Sequence, residues 1–305
     1  MSYLFRYMPR GRVAPRDATR GYVKHCRLTR LASVKWPGAL SVSVESRDLL
    51  WNLTLRELRG KYRRSFLGWG WSLLNPLALV AIYSFVFGVV FGAEPPVGEN
   101  SGVNSYAVYL LCGLLPWSFF NLVTGLGMNA LLGNAGLVRK VAFPRQTLVF
   151  AQSIFSLVQF SIEMTLLMVI LLALGSPLLP WVPVVALLMF LLCVFGTGIG
   201  LCLSVWYVYF RDLNYLWTII IQVYFFATPI IYDPSILDGK VAGWVEGILR
   251  WNPMAVFVQA FRHTLYDAAS PKLGNLVGLT LISAVTLVVG LLVFRKGSRR
   301  LAEEL

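Results

Sequence analysis

Trp181 to Phe210 reads WVPVVALLMFLLCVFGTGIGLCLSVWYVYF, and not one side chain in it is charged. A helix rises about 1.5 Å per residue, so a run of this length exceeds the roughly 30 Å of hydrocarbon in a bilayer. Arg211 and Asp212 follow at once and end it. Working outward, comparable apolar runs cover about 69–92, 106–132, 148–174, 215–232 and 276–294, most of them bounded by Gly, Pro, Asn or charged residues. Together they predict six membrane spans. The composition agrees: 57% of the 305 residues are hydrophobic, 13% are charged, and the mean hydropathy is +0.67. A soluble core in a chain of this size has no room for so much apolar surface. The expected fold class is an all-α integral membrane protein.

The first 68 residues are polar and basic and are interrupted by Pro9, Pro15 and Pro37. They hold no early apolar core with a small-residue cleavage site, so no removable secretory signal is expected. Residues 1–46 read as a basic cytoplasmic extension, 47–68 as an amphipathic interface helix and 69–305 as the membrane domain. Cys26 lies in the basic region, and Cys112, Cys193 and Cys202 lie within apolar runs. With no paired spacing and only two histidines in the chain, they read as packing residues, and no metal site is expected.

The net charge of +13 raises the possibility of nucleic acid, but its location argues otherwise. Of 27 Lys and Arg, 15 precede Trp69, three lie between the second and third runs, one between the fourth and fifth, and four follow Phe294. With an even number of spans all of these fall on one side, leaving only four, in 233–272, on the other. The positive-inside tendency then puts both termini in the cytoplasm, and the basic tails meet anionic lipid rather than nucleic acid. The first external loop, with Glu94 and Glu99 and no basic residue, agrees. Trp69, Trp71, Trp181, Trp206 and Tyr209 sit near span ends, where aromatic rings anchor at the interface.

Three further segments stand out. Asp48 to Leu67 (DLLWNLTLRELRGKYRRSFL) places Trp51, Leu55, Leu58, Tyr62 and Phe66 on one helical stripe, with Arg56, Arg59 and Arg63 opposite. Such a helix lies in the headgroup plane, with its guanidinium groups toward phosphate or a partner's carboxylates. Asn134 to Gln146 (NAGLVRKVAFPRQ) is a short basic segment whose Leu137, Val138, Val141 and Phe143 are more apolar than a solvated loop requires. A protein partner is expected to cover them. Residues 233–272 carry Arg250 and Arg262 beside apolar stretches such as Ala255 to Val258, and read as short helices that enter the membrane and return.

The order and spacing of several motifs resemble the type-2 ABC transporter permeases that export polysaccharides, including O-antigen, capsule, teichoic acid and galactan. They are Arg47 to Trp51, Arg56 with Lys61 to Gly68, Trp71 to Pro76, Phe143-Pro144-Arg145, Tyr209 to Asp212, Thr228 to Tyr232, and Asn252-Pro253 followed by Arg262. The resemblance covers most of the chain from Arg47 onward. It implies a homodimer of six-span subunits with two copies of a separate ATPase that binds ATP and magnesium, and a lipid-pyrophosphate-linked glycan as substrate. It also implies that 134–146, through Leu137, Val138, Arg139, Lys140, Phe143 and Arg145, is the helix that couples to the ATPase. Arg211 and Asp212 then form a second cytoplasmic contact. Trp51, Arg56, Arg59, Tyr62 and Arg63 belong to the interface helix, and 233–272 to external gating helices.

The chain contains no G-x-x-x-x-G-K-[ST] phosphate loop, so the energy source is expected in another polypeptide. It also lacks H-E-x-x-H and G-x-S-x-G, and no catalytic residue or resident cofactor is expected. Glu163 is the acidic residue well inside a span, where a charge costs about 2.5–3.5 kcal/mol on insertion scales and must face protein or water; with no embedded Lys or His to relay a proton, a structural hydrogen bond or a place lining the pathway is expected of it. A polysaccharide path needs flat apolar faces that bind weakly and repeatedly. The aromatic candidates are Tyr83 and Phe87 in the first run, Tyr109, Trp117, Phe119 and Phe120 in the second, and Tyr224 and Phe225 in the fifth. Rival expectations are an ABC exporter of a drug or lipid, a membrane glycosyltransferase or polymerase, and a proton-driven carrier using Glu163.

Overall fold

The computed structural model describes residues 44–61, 70–92, 97–141, 143–232 and 252–298, together with Gly247. All belong to one compact unit, Ser43–Leu305. Residues 1–43, Tyr62 and Arg63 of the expected interface helix, and most of 233–251 lie outside the described residues.

The elements in order are α1 (Val44–Lys61), α2 (Gly70–Tyr83) continuing as a π-helical stretch (Ser84–Val90), α3 (Tyr106–Asn129), α4 (Ala135–Lys140) and α5 (Gln146–Ala173). Then come α6 (Val182–Tyr209), α7 (Leu213–Phe226), α8 (Pro253–Leu265) and α9 (Leu273–Ser298). No strand occurs among the described residues. Tyr106–Asn129, Gln146–Ala173, Leu179–Tyr209 and Leu273–Gly297 are long and apolar enough to cross a membrane. Two shorter apolar helices, Leu77–Val90 and Leu213–Phe226, fall on the first and fifth predicted runs. The chain is an all-α membrane protein.

Two runs depart from the expectation of uninterrupted spans. The first changes from α to π geometry at Ser84, so Phe91 N–H donates to Val86 O, five residues back, at 3.0 Å. The fifth was expected to reach residue 232 but stops at Phe226. Pro229 has no N–H to continue the ladder, and side chains from elsewhere capture the carbonyls freed beyond it. Asn252 Nδ2 donates to Ala227 O at 3.0 Å, Arg262 Nη1 to Pro229 O at 2.7 Å, and Tyr106 OH to Ile231 O at 2.9 Å.

Packing is uneven around the bundle. In α3, 78% of the spanning window is buried inside the chain, against 17% in α9, so α3 is the central post and α9 a peripheral one. Between apolar helices lipid supplies no hydrophobic drive to associate, so close backbone approach must supply dispersion contacts. The α6–α9 crossing uses Gly198, where an added Cβ would lie 2.5 Å from the Thr286 carbonyl, with Gly290 against Gly198.

α8 is the buried arm of the 233–272 segment. Its Asn252 cap accepts hydrogen bonds from the N–H of Met254 and Ala255, and Pro253 occupies the first turn. Met254, Phe257, Val258, Phe261 and Leu265 follow helical spacing and have no exposed surface. Its 13 residues rise about 20 Å, too short to cross, and the chain turns back at Tyr266. The loop 97–105 is tied to that turn: Asn100 N–H donates to Asp267 O at 3.1 Å, and Ser101 Oγ to Tyr266 O.

A second apolar cluster closes the opposite end of the bundle. Leu53 of α1, Leu131, Val138 of α4, Leu148, Val205 and Phe294 pack together there. It joins α1 and the α3–α5 connection to the ends of α6 and α9.

Candidate functional site: an aromatic groove and a basic end

A groove of about 780 Å3 opens between α2, α3, α5 and α7. Tyr83, Trp117, Phe119 and Phe225, four of the expected path aromatics, line it, as do Trp71, Phe160 and Phe226. Trp117 and Phe225 meet edge to face at 5.5 Å, and Phe119 stacks on Phe160 at 4.5 Å, so these rings hold one another in place. The other expected aromatics lie elsewhere. Tyr109 and Phe120 are core residues, Phe120 stacking on Phe195 at 5.7 Å. Tyr224 directs its hydroxyl to Asn252 Oδ1 at 2.7 Å, and Phe87 packs against Phe91 on the π-helical stretch.

The groove also carries polar groups, of which Glu163 alone stood out in the sequence. Ser118 and Asn121 come from α3, Gln159 and Glu163 from α5, and Thr218 and Gln222 from α7. Gln159 and Glu163 are one helical turn apart, and Gln159 Nε2 donates to Glu163 Oε1 at 3.0 Å. Thr218 and Gln222 have the same four-residue spacing on α7. Polar pairs at that interval in an otherwise apolar helix form a stripe, a signal present in the sequence.

Arg262 occupies another polar point of the bundle. It is 6% exposed, donates to the carbonyls of Pro229 and Ile230, and lies 3.9 Å over the Tyr109 ring. Gly113 leaves the space: a Cβ there would come within 3.1 Å of Arg262 Nη2. Asn252 Nδ2 reaches Thr228 Oγ1 at 3.1 Å. The Thr228–Tyr232 and Asn252-Pro253 motifs are thus two sides of one latch that ends α7 and seats α8.

At the opposite end, Arg139, Lys140, Arg211 and Asp212 are exposed. Arg56 of α1 pairs with Glu57 at 2.7 Å and donates to Asn134 Oδ1 at 2.6 Å, linking α1 to the start of the 134–146 segment. Arg59 lines a small cavity beside Arg56 and Asn52. Trp51 is 60% exposed, whereas Leu53 and Thr54 face the protein.

Residues 48–266 match the family described as ABC-2 type transporter. The chain belongs to this family. The O-antigen export system permease protein RfbA of Klebsiella pneumoniae is 29% identical over 257 residues, covering 84% of this chain and 94% of the relative. The protein of the same name from Myxococcus xanthus is 29% identical over 259 residues, covering 85% and 96%. The polysialic acid transport protein KpsM of Escherichia coli is 24% identical over 244 residues, covering 80% and 91%.

Within this ABC-2 chain two expectations need correcting. The apolar residues of 134–146 were expected to be covered by another protein, but Val138 is buried by the chain itself and Leu137 and Phe143 pack against the same cluster. Only Val141 of the four is left largely exposed. A six-residue helix joining two spans is pulled onto the bundle end by these side chains, and its basic residues are left outward. Arg145 is half-buried. The stripe reading of α1 likewise missed its protein-facing side, formed by Leu49, Leu50, Leu53 and Thr54.

Proposed function

We propose that this chain is the membrane permease of an ATP-driven polysaccharide exporter, acting as a homodimer with two copies of a separate ATPase. The groove carries the reading: rings and side-chain amides share one cavity in a family member whose relatives are named for O-antigen and polysialic acid transport. Aromatic faces bind the C–H surfaces of sugar rings, and amides that both donate and accept match hydroxyl groups. Weak, repeated contacts of this kind let a polymer advance without stalling.

The exposed Arg139, Lys140, Arg211 and Asp212 form the surface on which the ATPase docks, and α1 transmits the motion through Arg56 and Asn134. The basic residues of Arg47, Arg56, Arg59, Arg139, Lys140, Arg211, Arg295 and Lys296 cluster at the α1 end, which supports a cytoplasmic location for that end and for both termini in a bacterial inner membrane. Arg56 and Arg59 also suit the pyrophosphate of a lipid-linked glycan.

Vesicles containing the chain with and without its co-purified ATPase test the proposal. Glycan export should require both the ATPase and ATP. Export that persists without nucleotide refutes the coupling, and stimulation of hydrolysis by a drug or simple lipid but by no glycan favours the rival exporter.

A further inference from the structure

At the basic end of the bundle, Arg56 Nη2 donates to Glu57 Oε1 at 2.7 Å and to Asn134 Oδ1 at 2.6 Å, and the same side chain lines the cavity shared with Asn52 and Arg59. Both N–H bonds of Nη2 are therefore taken. An oxyanion gripped by two prongs uses either the Nη1–Nη2 or the Nε–Nη2 edge of a guanidinium, and each edge includes Nη2. A phosphate held in this way must displace one of the two acceptors. Glu57 is an ion-pair partner and Asn134 a neutral amide, so Asn134 is the one surrendered. Arg59, in the same cavity, supplies a second positive charge for the phosphate and offsets the nearby carboxylate.

Asn134 occupies the N-cap position of α4, yet its side chain makes no cap hydrogen bond: Oδ1 is held by Arg56, and Nδ2 donates to Ala130 O at 2.9 Å. Its ψ of 23° also differs from the extended backbone of a capping residue. Asn252, at the same position of α8, has a ψ of 113° and accepts from the N–H groups of Met254 and Ala255. We infer that Arg56 and Asn134 form a switch that reads a phosphate-bearing headgroup. When Arg56 and Arg59 grip the phosphate, Asn134 is released, caps α4 through the N–H groups of Gly136 and Leu137, and turns the helix that carries Arg139 and Lys140. A ligand shifts such an equilibrium only through its different hold on the two states, and this one competes directly for Arg56. The inference rests on the reading of 134–146 as the ATPase-docking segment. It adds a route by which a loaded substrate carrier, or the surrounding anionic lipid, reaches that segment.

The test uses the full chain in phosphatidylcholine nanodiscs and follows backbone hydrogen exchange at Gly136 and Leu137 by mass spectrometry. The probes added to the bilayer are phosphatidylglycerol and a polyprenyl pyrophosphate. Exchange should slow about fivefold with one probe or both, the size of change a cap brings. A response to phosphatidylglycerol identifies membrane lipid as a source, and a response to the pyrophosphate alone identifies the carrier. Arg56→Ala should show the slow rate with no probe, because nothing then holds Asn134. Asn134→Ala should show the fast rate with every probe. Arg56 is exposed, so its variant decides the matter even if Asn134→Ala fails to fold.

Unchanged exchange with both probes, a fast rate in Arg56→Ala, or protection that survives Asn134→Ala overturns the inference. Hydrolysis by the co-purified ATPase is read separately, and it should rise with the active probe and stand raised in Arg56→Ala. If the amides respond and hydrolysis does not, the docking reading of 134–146 falls and the switch stands. If hydrolysis responds and the amides do not, the switch falls and the docking reading stands.

Discussion

Arg262 and Glu163 sit at nearly the same burial, 6% and 5% exposed, in a chain with few charges among its helices. Their surroundings differ. Arg262 is enclosed by the carbonyls of Pro229 and Ile230 and the face of Tyr109, partners the fold itself requires. Glu163 shares a groove wall with side chains that have hydrogen-bonding capacity to offer a ligand. Burial alone therefore does not tell which ionisable side chain the fold requires. The kind of partner does, because backbone carbonyls freed where a helix ends inside a membrane must be satisfied whether or not anything is transported.

Substitutions should pull the two residues apart. The largest effect is expected from Arg262→Met, which leaves the 229–230 carbonyls without their donor and unseats α8 from the end of α7. A loss of about 3–5 kcal/mol is expected, read as a lowered melting temperature and poor recovery of monodisperse protein in detergent. A variant that melts like wild type but transports less would reverse the assignment and make Arg262 functional.

Tyr106→Phe sharpens the same side of the comparison. It deletes one hydrogen bond to Ile231 O, and about 0.5–1.5 kcal/mol should be lost in the same melting assay. On the other side, Glu163→Gln keeps a hydrogen-bonding group next to Gln159, and its melting temperature should correspond to a change within about 1 kcal/mol. A large stability loss there would mark Glu163 as a second structural charge.

The smallest effect concerns pH. His263, next to Arg262 on α8, has its pKa raised, first by the hydrogen bond between its Nδ1 and Asp267 at 3.0 Å, with partial burial opposing. The charges of Asp267 and Glu99 add to the rise, and Lys272 opposes it. A pKa higher in the folded than in the unfolded state means the pair stabilises fully below about pH 6.5, the ordinary histidine value, and is lost as pH rises through the folded value. Melting temperature should fall slightly over that range, and Asp267→Asn should flatten the profile.

The helical membrane architecture was legible because run length and charge placement are one-dimensional properties. Trp181 to Phe210 can scarcely be read another way. The end of α7 was less legible: Pro229 signals a break, but the Asn252 and Arg262 groups that make the break tolerable lie far along the chain. Aromatic content identified α3 as a candidate wall without giving direction. Trp117 turns to the groove while Tyr109 and Phe120, on the same helix, turn to the core, since an aromatic suits either site. The four-residue spacing of Gln159 with Glu163 and of Thr218 with Gln222 held the missing information about direction, because a polar side chain between apolar neighbours must point away from lipid. Val138 illustrates the converse, an apolar residue in a connection covered by its own chain.

Blocking the groove provides the most direct measurement. Gln222 is exposed and lines the cavity, so Gln222→Trp fills it without disturbing the core. Vesicles carrying this variant with its ATPase should still hydrolyse ATP but should export almost no glycan. Export at the wild-type rate would show that the polymer travels by another route.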